Sequence, residues 1–222
     1  MKKVIFFLII TTLLSFSIYA QESKGEWKWF IIDNFEECYN WPVINTRTAQ
    51  PEYYYRNPRL AVIPGAPKGL QDSPKNNVMG IKILRIGSKY ANEVFVTPIL
   101  PIHLPGVCKK VSFWVNGRNK NLIIKVRFSN YFNGIYTLEP EPSSLQFFGW
   151  KEMVIDNIDQ KIPQIDPNRL DYRPMKILAF IIENQIGQES FKPFYVYFDQ
   201  IKAYCNEFTL PSYDGSEIKD TW

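Results

Sequence analysis

The chain has 222 residues, of which 16% are aromatic, and its formal net charge at pH 7 is +4. This charge is too small to indicate a nucleic-acid partner or an anionic membrane surface. Sixteen prolines spread along the chain leave few windows in which an uninterrupted helix of about ten residues could form.

Residues 1–20 have the layout of a signal peptide. Two lysines form a positive start, an apolar run from Val4 to Leu14 follows, and the small residue Ala20 precedes Gln21. The run is short for a membrane span, which needs about 20 residues, although a membrane anchor is the alternative. Because the residue directly after the predicted cleavage point is Gln21 and not a cysteine, a lipoprotein anchor is disfavoured. We therefore predict an exported protein.

The first part of the mature chain alternates short strands with a long irregular stretch. A strand is predicted at Lys28–Ile32, and others at residues 79–87 and 92–98, because these segments are rich in β-branched and apolar residues. Residues 41–77 are rich in Pro, Asn and Gly and predict a loop-rich insertion. Such a stretch in a compact domain indicates a binding loop or a local excursion.

The clearest pattern is VSFWVNGRNKNLIIKVRF at residues 111–128. Apolar residues recur at every second position in both halves, at Val111, Phe113 and Val115 and then at Leu122, Ile124, Val126 and Phe128. Period two turns one apolar row inward in each strand. Asn116 and Gly117 tolerate a positive φ, so we predict a tight reversal there and a β-hairpin over the segment.

The later strands complete an all-β pattern. They are predicted at residues 134–138, 145–148, 150–155, 175–184 and 191–204, with loop between 156 and 174 and one helical turn near Asp166. Short strands about ten residues apart, punctuated by Pro and Gly, favour an antiparallel β-sandwich or jelly roll with long Pro-rich loops. We predict one sandwich domain at 21–205 and a polar C-terminal tail at 206–222.

Candidate catalytic and metal-binding groups are few. His103 is the single histidine and lies among prolines, which favours a loop position over a catalytic or ligand role. Adjacent acids such as Glu36 and Glu37 are interpreted as solvated surface rather than a glycosidase dyad. Asp199 is either a calcium ligand or, as we favour, the acceptor of a structural hydrogen bond. We predict no enzyme activity, no cofactor and no metal.

Three cysteines, Cys38, Cys108 and Cys205, make an odd count. One disulfide with one thiol left over fits an oxidising compartment, and three pairings would satisfy it. The sequence does not choose among them.

Aromatic and arginine side chains in predicted loops and in the tail are candidate protein contacts, because Arg, Tyr and Trp carry much of the energy in protein interfaces. The candidates are Trp41, Tyr53, Tyr54, Tyr55, Arg56, Arg118, Tyr131, Phe132 and Trp222. Two alternatives stay open: the rings stack on sugars, or they cover the ends of the sandwich.

An ordered series of motifs resembles a known family. The motifs are LPGVCKKVSFWVNGRNKNLIIKV, LQFFGWKEMVIDNIDQKIPQ, and YVYFDQIKAY followed by YDGSEIKDTW. From about Val78 onward the chain resembles the spirochaete flagellar filament outer layer (sheath) proteins, the FlaA family. The proline-rich segment before Val78 is similar to the family's N-terminal half, although it is shorter here. The resemblance implies structural roles for Trp114, Gly117, Arg118, Asn119, Gly149, Trp150 and Asp199.

The resemblance also implies a function without catalysis. It implies an exported, periplasmic subunit that coats the flagellin core of a periplasmic flagellum and contributes to filament stiffness, curvature and motility. The implied partners are flagellin core subunits and other sheath proteins; lateral self-association is allowed, and neither nucleic acid nor, after signal cleavage, membrane is involved. The implied fold is a jelly roll similar to galactose-binding and carbohydrate-binding modules. A secreted carbohydrate-binding module is therefore the alternative.

Overall fold

Two antiparallel sheets form the protein in the computed structural model, which describes residues 26–35, 41, 43–44, 78–83, 86–87, 92–164, 174–185 and 193–206. The predicted signal peptide and residues 207–222 lie outside these ranges. In chain order the strands are β1 (Trp27–Asp33), β2 (Val43–Ile44), β3 (Met79–Ile83), β4 (Glu93–Val96), β5 (Ile102–His103), β6 (Val107–Asn116), β7 (Leu122–Ser129), β8 (Ile135–Leu138), β9 (Trp150–Ile155), β10 (Lys176–Asn184) and β11 (Phe194–Asn206). A short helix, α1 (Ile158–Lys161), follows β9.

Each sheet is built around one long strand. In the first sheet β11 pairs with β6 on one side and with β1 and β3 on the other, and β6 also pairs with β9. In the second sheet β10 lies between β7 and the strands β4 and β5; β8 pairs with β7, and β2 pairs with β4. The predicted antiparallel β-sandwich is confirmed.

Three phenylalanines join the sheets at the centre of the core. Phe180 of β10 lies 4.8 Å from the ring centroid of Phe113 on β6 and 5.2 Å from that of Phe198 on β11. All three side chains are fully buried. Burying a ring of this size contributes about 1.5–3 kcal/mol, and tilted ring pairs add about 0.5–1.5 kcal/mol. The alternation that brings these side chains inward is therefore a major source of stability.

The strands β6 and β7 lie in different sheets, which corrects the predicted hairpin over residues 111–128. β6 pairs with β11 and β9, whereas β7 pairs with β10 and β8. The predicted inward rows are buried in both strands, but they face each other across the core rather than lying side by side. The alternation of apolar and polar residues determines which side chains are buried. It does not determine which strand each strand pairs with, because that depends on long-range contacts. The segment is an arch between sheets.

Two further predictions from the pattern are corrected or unresolved. Residues 145–148 do not form the predicted strand. Leu145 is fully buried, and its backbone N–H donates to the carbonyl oxygen of Leu122 at 2.9 Å. The helical turn predicted near Asp166 lies outside the described residues. The observed helix α1 comes earlier, with Ile158 buried.

A disulfide joins the two strands at one end of the first sheet. Cys108 of β6 and Cys205 of β11 are cross-strand partners with Cα atoms 4.1 Å apart. This bond selects one of the three pairings that the sequence left open, while Cys38 lies outside the described residues. Its partners are 97 residues apart in sequence, and a closed loop of this length stabilises a fold by about 4.7 kcal/mol in the chain-entropy account.

Gln164 ties the loop after α1 to the same strand. Its side-chain amide accepts a hydrogen bond from the Cys108 backbone N–H and donates one to the Cys108 carbonyl oxygen, both at 2.7 Å. Gln164 is buried, and so is Ile162 before it. The I-P-Q motif therefore has a structural explanation, because the glutamine satisfies both backbone groups of a buried residue.

We expect Gln164→Leu to lower the free energy of unfolding by about 1–3 kcal/mol, because it leaves a buried N–H and a buried carbonyl without partners. Urea denaturation followed by tryptophan fluorescence measures the change. Gln160→Leu, at an exposed position of α1, is the matched control and should stay within about 0.5 kcal/mol of the wild type. Equal effects of the two substitutions would contradict the structural role of Gln164.

We expect the double substitution Cys108→Ser/Cys205→Ser to lower the free energy of unfolding by about 3–5 kcal/mol, because the unfolded chain regains the freedom of a long loop. The same denaturation experiment measures it. The control is the wild type in reducing buffer, which should approach the variant's midpoint. A variant as stable as the oxidised wild type would show that the bond contributes nothing.

Candidate functional site

The connection between β6 and β7 builds one wall of a cleft. The backbone N–H of Asn119 donates to the Phe147 carbonyl oxygen at 2.7 Å, and that of Lys120 donates to the Leu145 carbonyl oxygen at 3.0 Å. A Cβ added at Gly117 would lie 2.7 Å from the Leu145 oxygen, closer than real contacts allow. The left-handed residues are Arg118 and Asn119, with φ of 50° and 55°. The predicted reversal is therefore displaced, and Gly117 is needed for close approach rather than for positive φ.

A cleft of about 480 Å³ opens beside this connection. Tyr195 and Tyr197 of β11 contribute two nearly parallel rings, with centroids 6.0 Å apart and an interplanar angle of 9°. The Tyr197 ring packs over Gly80 of β3, where an added Cβ would come within 3.0 Å of the ring. Asn116 at the end of β6 adds a nearly buried amide. The cleft thus offers an aromatic wall with a polar group beside it.

The charged groups among the described lining residues are two cations. Arg118 is exposed, and the Lys120 ammonium lies 5.2 Å from the centroid of the Phe194 ring. No carboxylate of the described chain lies within ion-pair distance of either group. The cleft therefore carries positive charge that no carboxylate of the described residues neutralises.

Phe148 and Gly149 also line the cleft. Phe148 is 82% exposed. Gly149 has a φ of +80°, and an added Cβ there would meet nothing within 4 Å. The glycine is therefore explained by its backbone conformation, which directs the chain into β9 directly after an exposed ring.

Lys110 and Lys125, which lie elsewhere on the sandwich, are paired with acids. Lys125 lies 2.6 Å from Glu183 and 3.3 Å from Glu139, and the hydrogen bond to Glu183 raises the pKa of Lys125 above its usual value. Lys110 donates to Asp156 at 2.9 Å, and this hydrogen bond is the main cause that lowers the pKa of Asp156. These contacts place carboxylates beside the ammonium groups of Lys110 and Lys125.

A second exposed surface, the β1 face, consists of Trp27, Trp29, Ile31 and Tyr204. Trp29 is 49% exposed and Ile31 is 64% exposed, and both tryptophans pack against the Tyr204 ring, at 5.8 Å and 5.3 Å between centroids. Ammonium groups lie over the two indoles: that of Lys109 over Trp27 and that of Lys202 over Trp29. Residues 28, 30 and 32 turn the other way, and Phe30 and Ile32 pack on the core. The β1 face is thus apolar with a cationic border.

The connection between β7 and β8 presents a third aromatic feature. The side-chain oxygen of Asn130 accepts hydrogen bonds from the backbone N–H of Phe132 at 3.1 Å and of Gly134 at 2.8 Å. This fixed turn leaves Phe132 66% exposed, with the half-buried Tyr131 ring 4.1 Å away. Both remain candidate contact residues, as does Arg118 in the cleft.

Trp41 is not a surface contact, which corrects its prediction. Its side chain is fully buried, with its ring 5.5 Å from those of both Phe35 and Phe180. Its indole N–H donates to the Asp33 carboxylate at 2.6 Å. The ring belongs to the core because it satisfies its one polar group there. The candidates Tyr53, Tyr54, Tyr55, Arg56 and Trp222 lie outside the described residues.

Asp199 makes a structural hydrogen bond. It is nearly buried, and its carboxylate accepts from the backbone N–H of Gln200 at 2.8 Å, at a bulge where Gln200 has a φ of 34°. Its cross-strand partner on β6 is Trp114. Within the described ranges no group of three or more His, Cys, Asp or Glu side chains could hold a metal ion. The remaining motif residue, Trp150, begins β9 opposite Asn116.

The described residues form an antiparallel β-sandwich with exposed aromatic surfaces and one cleft. The family model of the flagellar filament outer layer protein FlaA matches residues 11–214, and the chain belongs to this family. A curated relative, a flagellar filament outer layer-like protein of Brachyspira hyodysenteriae (strain ATCC 49526 / WA1), is 25% identical over 202 residues, which cover 87% of this chain and 86% of the relative. The resemblance read from the motifs is confirmed.

Among solved structures the chain is similar in fold to family 11 carbohydrate-binding modules. One, from Clostridium thermocellum in complex with a beta-1,3-1,4-mixed-linked tetrasaccharide, matches with a TM-score of 0.43 and 16% identity over 81% of this chain and 96% of the module. Another, from the cellulosomal cellulase Lic26A-Cel5E of the same organism, matches with a TM-score of 0.40 and 14% identity over 83% and 98%. No helix in the described part of the chain is long and apolar enough to cross a membrane.

Sequence reasoning identified Arg118 on the cleft but missed the two tyrosines, Phe148 and Lys120. A signal for the tyrosines was present, because Tyr195 and Tyr197 alternate with the inward Phe194, Val196 and Phe198. That pattern predicts an aromatic pair on one outward face. No sequence signal placed Phe148 at the cleft. Its position depends on how residues 145–149 pack against the β6–β7 connection, which is distant in sequence.

We expect Gly117→Ala to lower the free energy of unfolding by about 1–3 kcal/mol, because the added methyl group overlaps the backbone of Leu145. Gly149→Ala is the control: it meets no atoms and should cost about 1 kcal/mol through its positive φ. Amide chemical shifts distinguish the two, since Gly117→Ala should move signals of residues 145–147 and Gly149→Ala should not move those of Leu145. Unchanged shifts at Leu145 in Gly117→Ala would contradict the close approach.

Proposed function

We propose that this protein is an exported structural subunit of the outer layer of a periplasmic flagellar filament. It coats the flagellin core, contributes to the stiffness and curvature of the filament, and has no catalytic role. The observation that carries this proposal is membership of the filament outer layer family across nearly the whole chain. Aromatic surfaces on a cross-linked sandwich support it, because they suit a subunit that functions through contacts.

A coat subunit needs only modest affinity at each contact. Neighbouring subunits and the core hold it at the same time, so the second and third contacts form at high effective concentration. A rigid body strengthens this effect, because contact surfaces that keep their relative positions lose little entropy on assembly. The disulfide and the three central phenylalanines supply such rigidity within the described sandwich.

The β1 face is our candidate surface for the filament. Trp29 and Ile31 are large apolar side chains held outward on a regular strand, and tryptophan is among the residues that most often dominate interface energy. Pairing of β1 with β11 holds these side chains in a regular register.

We expect Trp29→Ser/Ile31→Ser to weaken association with detergent-stripped periplasmic filaments by about tenfold, because it removes a central aromatic anchor. Co-sedimentation over a range of subunit concentrations measures the change. The matched control is Ile99→Ser/Leu100→Ser, which removes similar exposed apolar area from the β4–β5 connection. Equal losses in both variants would contradict the assignment of the β1 face.

The proposed function itself is tested with the wild-type protein. Saturable co-sedimentation with filaments supports it. A folded protein that stays in the supernatant at every concentration, yet binds soluble glycans on an array, would replace it with the carbohydrate-binding alternative.

A further inference from the structure

We propose that the cleft beside the β6–β7 connection binds a carboxylated sugar, such as a uronic acid residue of a glycan. This ligand site goes beyond the proposed coat function and does not depend on it. The inference is carried by four properties of the described lining residues: polar groups without protein partners, two cations, accessible aromatic rings, and a floor whose backbone groups are already paired.

Asn116 places an amide without a protein partner at the cleft. The residue is 4% exposed and lines the cleft, yet its carboxamide makes no hydrogen bond to any residue of the described chain. A carboxamide can donate two hydrogen bonds and accept two, and nearly all buried polar side chains in folded proteins have a partner. A ligand in the cleft supplies partners to this amide.

The hydroxyl groups of Tyr195 and Tyr197 extend this polar surface. Both residues line the cleft, and neither hydroxyl is hydrogen-bonded to a described residue. Tyr197 is the cross-strand partner of Asn116, so their Cβ atoms are about 5 Å apart, and Tyr195 lies two positions along the same face of β11. These three groups both donate and accept hydrogen bonds, as the hydroxyl groups of a sugar do.

Arg118 and Lys120 add the charge that a carboxylate requires. They flank Asn119, whose backbone N–H is fixed by its hydrogen bond to the Phe147 carbonyl oxygen at 2.7 Å. Among the described residues neither cation has a carboxylate partner. A guanidinium can bind a carboxylate through two parallel N–H groups, and charge-assisted hydrogen bonds are about twice as strong as neutral ones. An acidic sugar therefore fits this cleft better than a neutral one.

The accessible rings suit the apolar face of a sugar. Tyr195 is half-buried, and Phe148 is 82% exposed although it lines the cleft. Contact between these rings and the C–H groups of a sugar removes apolar surface from water. The volume of the cleft, about 480 Å³, lies in the range of about 300–1,000 Å³ that is typical of small-molecule sites.

An acidic peptide is the alternative that shares the charge. An extended peptide that adds to a sheet needs the unpaired backbone groups of an edge strand. The floor of this cleft has no such edge, because Asn116 pairs with both Tyr197 and Trp150, and Tyr197 also pairs with Gly80. Recognition at the floor is left to side chains, which favours the sugar.

The first measurement is a titration of the ¹⁵N-labelled mature chain with glucuronate, galacturonate and N-acetylneuraminate, followed by amide chemical shifts. We expect at least one of these sugars to shift signals of residues 116–120 and 195–197 saturably, and its affinity to fall as salt is raised. The matched neutral probe is the methyl ester of the same sugar. It should bind about fivefold more weakly, because it lacks the charge that Arg118 and Lys120 recognise.

The second measurement separates charge from ring contact. Arg118→Gln/Lys120→Gln should bind the acid no better than its methyl ester, whereas Tyr195→Ala should weaken both by about fivefold. The matched control, Lys28→Gln/Lys161→Gln, removes the same charge at exposed positions outside the cleft and should bind as the wild type does. Far-UV circular dichroism and the urea midpoint confirm folding, since every substituted position is exposed or half-buried.

Four outcomes would overturn the proposal. None of the three sugars shifts signals of the cleft; the acid and its methyl ester bind equally well; the Arg118→Gln/Lys120→Gln variant retains the preference for the acid; or a blocked peptide of alternating aspartate and glycine binds more tightly than every sugar and is unaffected by Tyr195→Ala. The last outcome would assign the cleft to an acidic peptide. Co-sedimentation with filaments tests the proposed function separately, so the failure of one proposal is distinguishable from the failure of the other.

Discussion

The packing of two apolar rows across the sandwich is the interaction on which the rest of the structure depends. Phe113 and Phe198 come from the first sheet and Phe180 from the second, and their rings meet with no exposed surface. The cleft and the β1 face are both built on β11, which carries Phe198. The cleft lies where β6 and β11 meet the connection to β7, and the β1 face is paired in register along the second half of β11.

Strand β6 contributes both to the stability of the fold and to the lining of the cleft. Its start holds the disulfide to β11 and the amide pair with Gln164, its middle supplies Phe113 to the core, and its end supplies Asn116 to the cleft. Because these features share one strand, the position of the cleft is determined by the same contacts that hold the fold. This arrangement suits the proposed structural role, since a contact surface is specific only while its side chains keep their relative positions.

Much of the fold could be predicted from sequence, and the exceptions have a common cause. Period-two alternation predicted the inward residues of β6, β7 and β11 correctly, because burial alternates along any strand that covers a core. The same alternation does not indicate which strands pair. The predicted hairpin over residues 111–128 was therefore wrong, because β6 and β7 lie in different sheets. Trp41 was assigned to the surface because the surrounding sequence is typical of a loop. In the structure it is buried by its hydrogen bond to Asp33 and its ring contacts with Phe35 and Phe180.

The sequence by itself determined the class of fold, the family and the residues that face inward, because these follow from local periodicity and from an ordered series of motifs along the chain. Only the tertiary structure decided the sheet to which each strand belongs, the pairing of Cys108 with Cys205, and the assembly of Tyr195, Tyr197, Arg118, Lys120 and Phe148 around one cleft. These features join residues that are dozens of positions apart. Their proximity arises from the balance of all long-range contacts, which no short stretch of sequence records.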